Sequence, residues 1–181
     1  MRKQAVIRTG LEALYFSGAH RLLRPFLGGI GAILTLHHVR PARAGAFQPN
    51  RLLEVTPDFL ESVIVRLHRL GVEFISLDAM HARLSERAAG RRFVCLTFDD
   101  GYEDNLTHAY PVLQRHGVPF AIYVASSFPE GAGELWWLTV ERVIAQRAAV
   151  CLTMDGGERR FACVTPEEKQ SAYDAIYGWL R

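Results

Sequence analysis

At 181 residues the chain has material for one domain with a buried core and too little for two ordinary ones. Hydrophobic residues at 49% and charged residues at 22% are the balance of an ordinary globular protein. A net charge of +2 gives no footing for a nucleic-acid partner.

The first residues, Met1-Arg2-Lys3, are basic, but the apolar residues after them are interrupted by Arg8, Glu12, His20, Arg21 and Arg24. No apolar run reaches the length of a signal peptide or a membrane span, so a cytoplasmic location is expected. Val6, Ile7, Leu11, Leu14, Tyr15, Leu22 and Leu23 recur at helical spacing with Arg and Lys on the other side. This predicts an N-terminal amphipathic helix over 1–27 that packs on the domain, with a membrane surface as the alternative. Three cysteines, Cys95, Cys151 and Cys163, form no CxxC pair and read as buried free thiols of a reducing compartment.

Gly28-Gly29 breaks the helical pattern, and 30–36 reads as a buried strand ending in His37-His38. Residues 41–50 form a Pro-, Gly- and Ala-rich surface loop. Thr56-Pro57-Asp58 starts a helix, with Thr as cap and Pro at the first position. Its apolar face is Phe59, Leu60, Val63, Ile64, Leu67 and Leu70, and Gly71 ends it. A short strand over 72–76 and a helix over 78–87 come next. Residues 93–98 are a strand buried on both faces. A helix over 103–116, kinked or split at Pro111, leads to a buried strand over 118–124. Residues 93–124 thus form one βαβ unit. A loop over 126–134 precedes a helix over 135–147. Two strands, 150–154 and 159–164, flank the hairpin turn Asp155-Gly156-Gly157. Thr165-Pro166-Glu167-Glu168 is a capping box that opens a last helix.

The strand over 93–98 stops at Asp99-Asp100-Gly101-Tyr102. Carboxylates at the carboxyl end of a buried strand sit where α/β folds place their chemistry. Two adjacent acids cannot both stay ionised and buried unless a cation intervenes, and a divalent metal is the economical one. One Asp then ligates it while the other acts as a base, or both contact it. A helix cap explains one Asp but leaves the second without a partner.

Leu96-Thr97-Phe98-Asp99-Asp100-Gly101-Tyr102 resembles the first signature of the polysaccharide deacetylases, the NodB-homology family of carbohydrate esterases. Supporting matches are Leu34-Thr35-Leu36-His37-His38-Val39, 53–59 from Leu53 to Phe59, and 118–124 from Val118 to Val124. The resemblance covers 30–138. It implies an α/β fold, here the N-terminal part of an incomplete (β/α) barrel, with residues 135–181 as a helix-hairpin-helix insertion. It also implies a Zn²⁺-type metal and removal of acetyl groups from an N-acetylated oligosaccharide or polysaccharide. By the same resemblance Asp99 is the general base, Asp100 a metal ligand, and Tyr102 a backbone N–H donor to the oxyanion. His37 and His38, ending the neighbouring strand, and Trp137, an aromatic able to stack on a sugar, are substrate-binding candidates.

The chain departs from the family at its second motif. Among the seven histidines no two stand four residues apart, so the HxxxH ligand pair is missing. The expectation is therefore a single, partial deacetylase domain over 1–181 that is inactive alone. Its last helix is expected to leave Tyr173, Ile176, Tyr177 and Leu180 exposed for self-association. A non-catalytic remnant or carbohydrate-binding module is the alternative, and a Mg²⁺-dependent phosphoryl-transfer domain a distant one.

Overall fold

We describe the protein from a computed structural model, over residues 2–27, 29–86 and 90–181. The expected break at Gly28, the Arg87 end of the second helix and the Met1 start of the first lie outside these residues.

The N-terminal segment is two helices rather than one, α1 (Arg2–Phe16) and α2 (Ala19–Leu27). Gly18, at φ +74°, supplies the left-handed residue that stops α1. The two pack chiefly on each other, and Val6, Ile7, Leu11, Phe16 and Leu22 are exposed. Among the described residues the expected packing on the domain is not seen, and the apolar stripe is left exposed.

Four parallel strands make the central sheet. They are β1 (Gly31–Leu36), β4 (Glu73–Phe74), β5 (Phe93–Asp99) and β6 (Phe120–Tyr123); a separate parallel pair joins β2 (His38–Val39) to β3 (Glu54–Val55). Strand β1 runs along β5 from Gly31 opposite Phe93 to Leu36 opposite Phe98. The other edge of β5 is shared, with β4 beside Phe93 and β6 beside Leu96 to Asp99. Phe93 through Phe98 are all buried, as the continuous apolar run predicts. Strand β1 is different. Its Ile33 is about half exposed, so the expectation of a buried strand fails for this edge.

Val94, Leu96 and Phe98 point to one face of β5, where they meet Leu60 and Ile64 of α3 (Pro57–Arg69) and Val112 and Leu113 of α5 (Tyr110–Arg115). Full burial of side chains such as Phe98, Ile64 and Leu113 stabilises by about 1.5–3 kcal/mol each. Helix α3 starts as its sequence requires, with Thr56 Oγ1 accepting from Phe59 N at 3.2 Å and Pro57 in the first turn. Helix α4 (Leu77–Ser85) is capped by Ser76 in the same way. The expected split at Pro111 appears as one π turn, Asn105–Ala109, in front of α5. Proline has no N–H for a regular helical bond there, and the wider turn accommodates it.

The C-terminal part builds a second core. Helix α6 (Trp136–Gln146), the hairpin β7 (Ala149–Met154) and β8 (Gly157–Ala162), and α7 (Pro166–Leu180) enclose Ile144, Cys163, Ala172, Tyr173 and Ile176. Met154 pairs with Gly157, so the turn is the two residues Asp155 and Gly156, at φ +51° and +79°. Positive φ at both positions is the type I′ geometry that the Asp-Gly pair favours. Thr165 and Glu168 make the full capping box. Tyr173 and Ile176 are buried, so the face expected to drive self-association is already covered; of that set Leu180 stays exposed. The free cysteines also divide, Cys95 and Cys163 being buried and Cys151 exposed.

Candidate active site

Strand β5 delivers Asp99 to the carboxyl end of the sheet, and the chain then turns through two successive left-handed residues. Asp100 has φ +70° and Gly101 φ +66°. Gly101 is required twice over. A Cβ there would also meet Val124 Cγ2 at 2.8 Å. Left-handed backbone at a non-glycine residue is uncommon, and at a corner carrying two carboxylates it points to a functional role.

Three of the candidates meet at this corner with His37 and His38. Asp99 is open, its side chain 40% exposed, and its Oδ2 lies 3.9 Å from His37 Nε2. His38 is 3% exposed, and its Nδ1 lies 2.7 Å from Asp104 Oδ2. Because a carboxylate only accepts, that nitrogen carries the proton, and Nε2 is buried with no hydrogen-bond partner. The His38 ring stacks on Tyr102, with centroids 3.6 Å apart and planes 24° apart. Of the two histidines, His37 is therefore the one open to solvent and His38 the support beneath Tyr102.

Tyr102 is held at its other end as well. Its hydroxyl accepts from Trp137 Nε1 at 3.1 Å. Burial first, and then the Asp100 and Asp104 charges, push its phenol well above the usual tyrosine range. Trp137 thus lies in the site, tied through its indole N–H to Tyr102. Its neighbour Trp136 turns away to lie against Tyr177, 5.1 Å between centroids.

Two residues that the sequence did not single out complete the corner. Asp104 also accepts from Val39 N at 3.3 Å, and Asn105 Nδ2 donates to His37 O at 2.7 Å. Together they lock the end of β1 to the turn after the motif. In sequence Asp104 reads as an ordinary acid in a helix's first turn, and its partner lies 66 residues away.

A second polar cluster flanks the corner. Glu54 accepts from Arg40 Nη2 at 2.6 Å and from Arg43, which also donates to Glu141 at 2.7 Å. Asn50 Nδ2 donates to Glu141 at 2.6 Å, and Tyr173 Oη donates to Asn50 Oδ1 at 2.8 Å. Burial works to raise the Glu54 carboxyl, but hydrogen bonds from Arg40 and Arg43 outweigh it and hold it below the usual range. Each charge in the cluster is paired, so it braces the 40–54 loop against α6 and α7.

The donor set does not make up a zinc site. Among the described residues no three His, Cys, Asp or Glu side chains are grouped so as to hold a metal ion.

Comparison with known proteins reaches the same segment. Residues 86–152 match the model of the polysaccharide deacetylase family. YxkH of Bacillus subtilis, assigned as a polysaccharide deacetylase, is 27% identical over 122 residues, covering 66% of this chain and 43% of that protein. The chain thus spans less than half the length of that relative. Among solved structures, Streptococcus pyogenes deacetylase PplD has a TM-score of 0.47 and 24% identity, over 56% of this chain and 45% of that one. IcaB from Ammonifex degensii has a TM-score of 0.45 and 25% identity, over 52% of this chain and 37% of that one. The matched segment carries the Asp99-Asp100-Gly101 corner, so this part of the chain is similar to the polysaccharide deacetylase family.

Proposed function

We propose that the Asp99–Tyr102 corner is the water-activating part of a site that hydrolyses the acetamide C–N bond of an N-acetylated oligosaccharide or polysaccharide. The observation that carries this is Asp99, a solvent-open carboxylate at the end of a buried strand, facing His37. In this reading the Asp99 carboxylate takes a proton from water as that water attacks the acetyl carbonyl, and the proton passes to the amine nitrogen as the C–N bond breaks, leaving acetate and the free amine. The Tyr102 N–H donates to the oxyanion that forms. The Tyr102 ring, clamped between His38 and Trp137, keeps that donor in place without reorganisation.

A divalent metal, Zn²⁺ first, belongs to the proposal with Asp100 as one contributing ligand. The described residues alone do not fit a complete ligand set, which favours a second reading, a glycan-binding remnant without turnover.

Acetate release from N-acetylglucosamine oligomers, measured with and without added Zn²⁺, separates the two. The deacetylase reading expects slow release that Asp99→Asn removes while leaving the unfolding midpoint unchanged. Oligomer binding with no release at any zinc concentration would select the remnant. Neither binding nor release would overturn both.

A further inference from the structure

We infer that α1 and α2 form a docking face for an anionic membrane surface, lying in the headgroup plane rather than crossing it. Two observations carry this, and neither depends on the deacetylase reading. The first is exposure. Along α1 and α2, Val6, Ile7, Leu11, Tyr15, Phe16 and Leu22 all face solvent, while the domain's own cores are closed without them. Large apolar side chains left bare along two successive helices mark an interaction surface.

The second is the separation of charge. Residues 1–27 hold five of the chain's 21 Lys and Arg but one of its 19 acids, so this segment is net +4 while the remainder is net −2. That single acid, Glu12, is paired with Arg8 at 2.8 Å. Exposed apolar side chains on a segment with an excess of cations are the pattern of helices that settle into anionic lipid. A second copy of the same face is the poorer occupant, because it would set one +4 segment against another. Among the described residues no helix is long and apolar enough to cross a membrane, so the contact is a surface one.

The test is flotation of the full chain with two vesicle types, phosphatidylcholine alone and phosphatidylcholine with about a third phosphatidylglycerol, across a salt series. Binding to the anionic vesicles that weakens with salt is expected, and at least about tenfold weaker binding to the neutral ones. Arg21→Glu should weaken binding by about fivefold or more, since each basic residue near an anionic surface contributes a comparable factor. The pair Leu11→Glu with Leu22→Glu should abolish it without moving the unfolding midpoint, because both side chains are already exposed. Equal binding to both vesicle types, binding to neither, or binding that survives the leucine pair would overturn the inference. A dimer in sedimentation that the leucine pair dissociates, with no vesicle binding, would give the face to a second copy instead.

Discussion

Replacing Gly101 by alanine tests whether the corner is built on strain that only glycine relieves. At φ +66° a residue with a Cβ costs about 1–2 kcal/mol more than glycine. The new methyl would lie 2.8 Å from Val124 Cγ2 and 3.2 Å from Cγ1. Crowding of this kind costs about 1–3 kcal/mol. Val124 is half exposed, so it can yield into solvent, and the low end, about 1 kcal/mol, is the appropriate share. The stiffer unfolded chain of alanine returns about 0.5 kcal/mol. The net expectation is a loss of about 1.5–2.5 kcal/mol, or a fall of several degrees in Tm for a chain of this size. Urea titration followed by tryptophan fluorescence measures it, and Val124→Ala separates the two causes. In that background the crowding share should vanish, giving a coupling of about 1 kcal/mol. A Gly101→Ala protein within about 0.5 kcal/mol of the parent would refute the reasoning. So would a cost that Val124→Ala leaves untouched.

Glu141→Ala strands the Arg43 and Asn50 donors in a buried place; with Arg43 a third exposed and still holding Glu54, a loss of about 2 kcal/mol is expected in urea titration. Glu141→Gln should cost less, because it keeps an acceptor for Asn50. The depressed Glu54 pKa means its contribution is complete above about pH 4.3, the ordinary carboxylate value, and is lost as pH falls through the folded value. Urea midpoints of the parent and Glu54→Gln should therefore converge on acidification; a gap that is constant with pH would refute this. Tyr173, pushed up to about 12 chiefly by burial, and Tyr102, raised further, should ionise last in a phenolate absorbance titration. Their contribution to stability is complete below about pH 10 and lost as pH climbs toward the folded values. Tyr102→Phe and Tyr173→Phe should each remove one late transition.

The parts of the fold that show in the sequence are those whose cause is local. Strand β5 is legible because residues buried on both faces must all be apolar, and the β7–β8 turn because Asp-Gly suits two positive φ angles. Thr56 and Thr165 announce their helices by side chains that cap their own third residue. What does not show is which surface meets which. An apolar stripe looks the same on α7, where it is buried, and on α1, where it is bare. Ile33 sits in as apolar a run as Leu96, yet one is on an edge strand and the other central. At the site, Asp99, Asp100 and Tyr102 stand out because they interrupt a strand, whereas Asp104 and Asn105 work through partners 65 or more residues away.

Helix α6 carries Trp137 and Glu141 four residues apart, one bonded to Tyr102 and the other to Arg43 and Asn50. One helical turn thus pins the helix at two points about 6 Å apart along its axis. A rod fixed at two points can roll about the line between them but cannot slide or tilt without pulling on one. Any rearrangement of the C-terminal half that slides or tilts α6 must therefore register at the corner as tension on a single phenol. The indole at one pin is a fluorophore, so with Trp136 and Trp179 replaced, Trp137 emission reports strain at its contact with Tyr102.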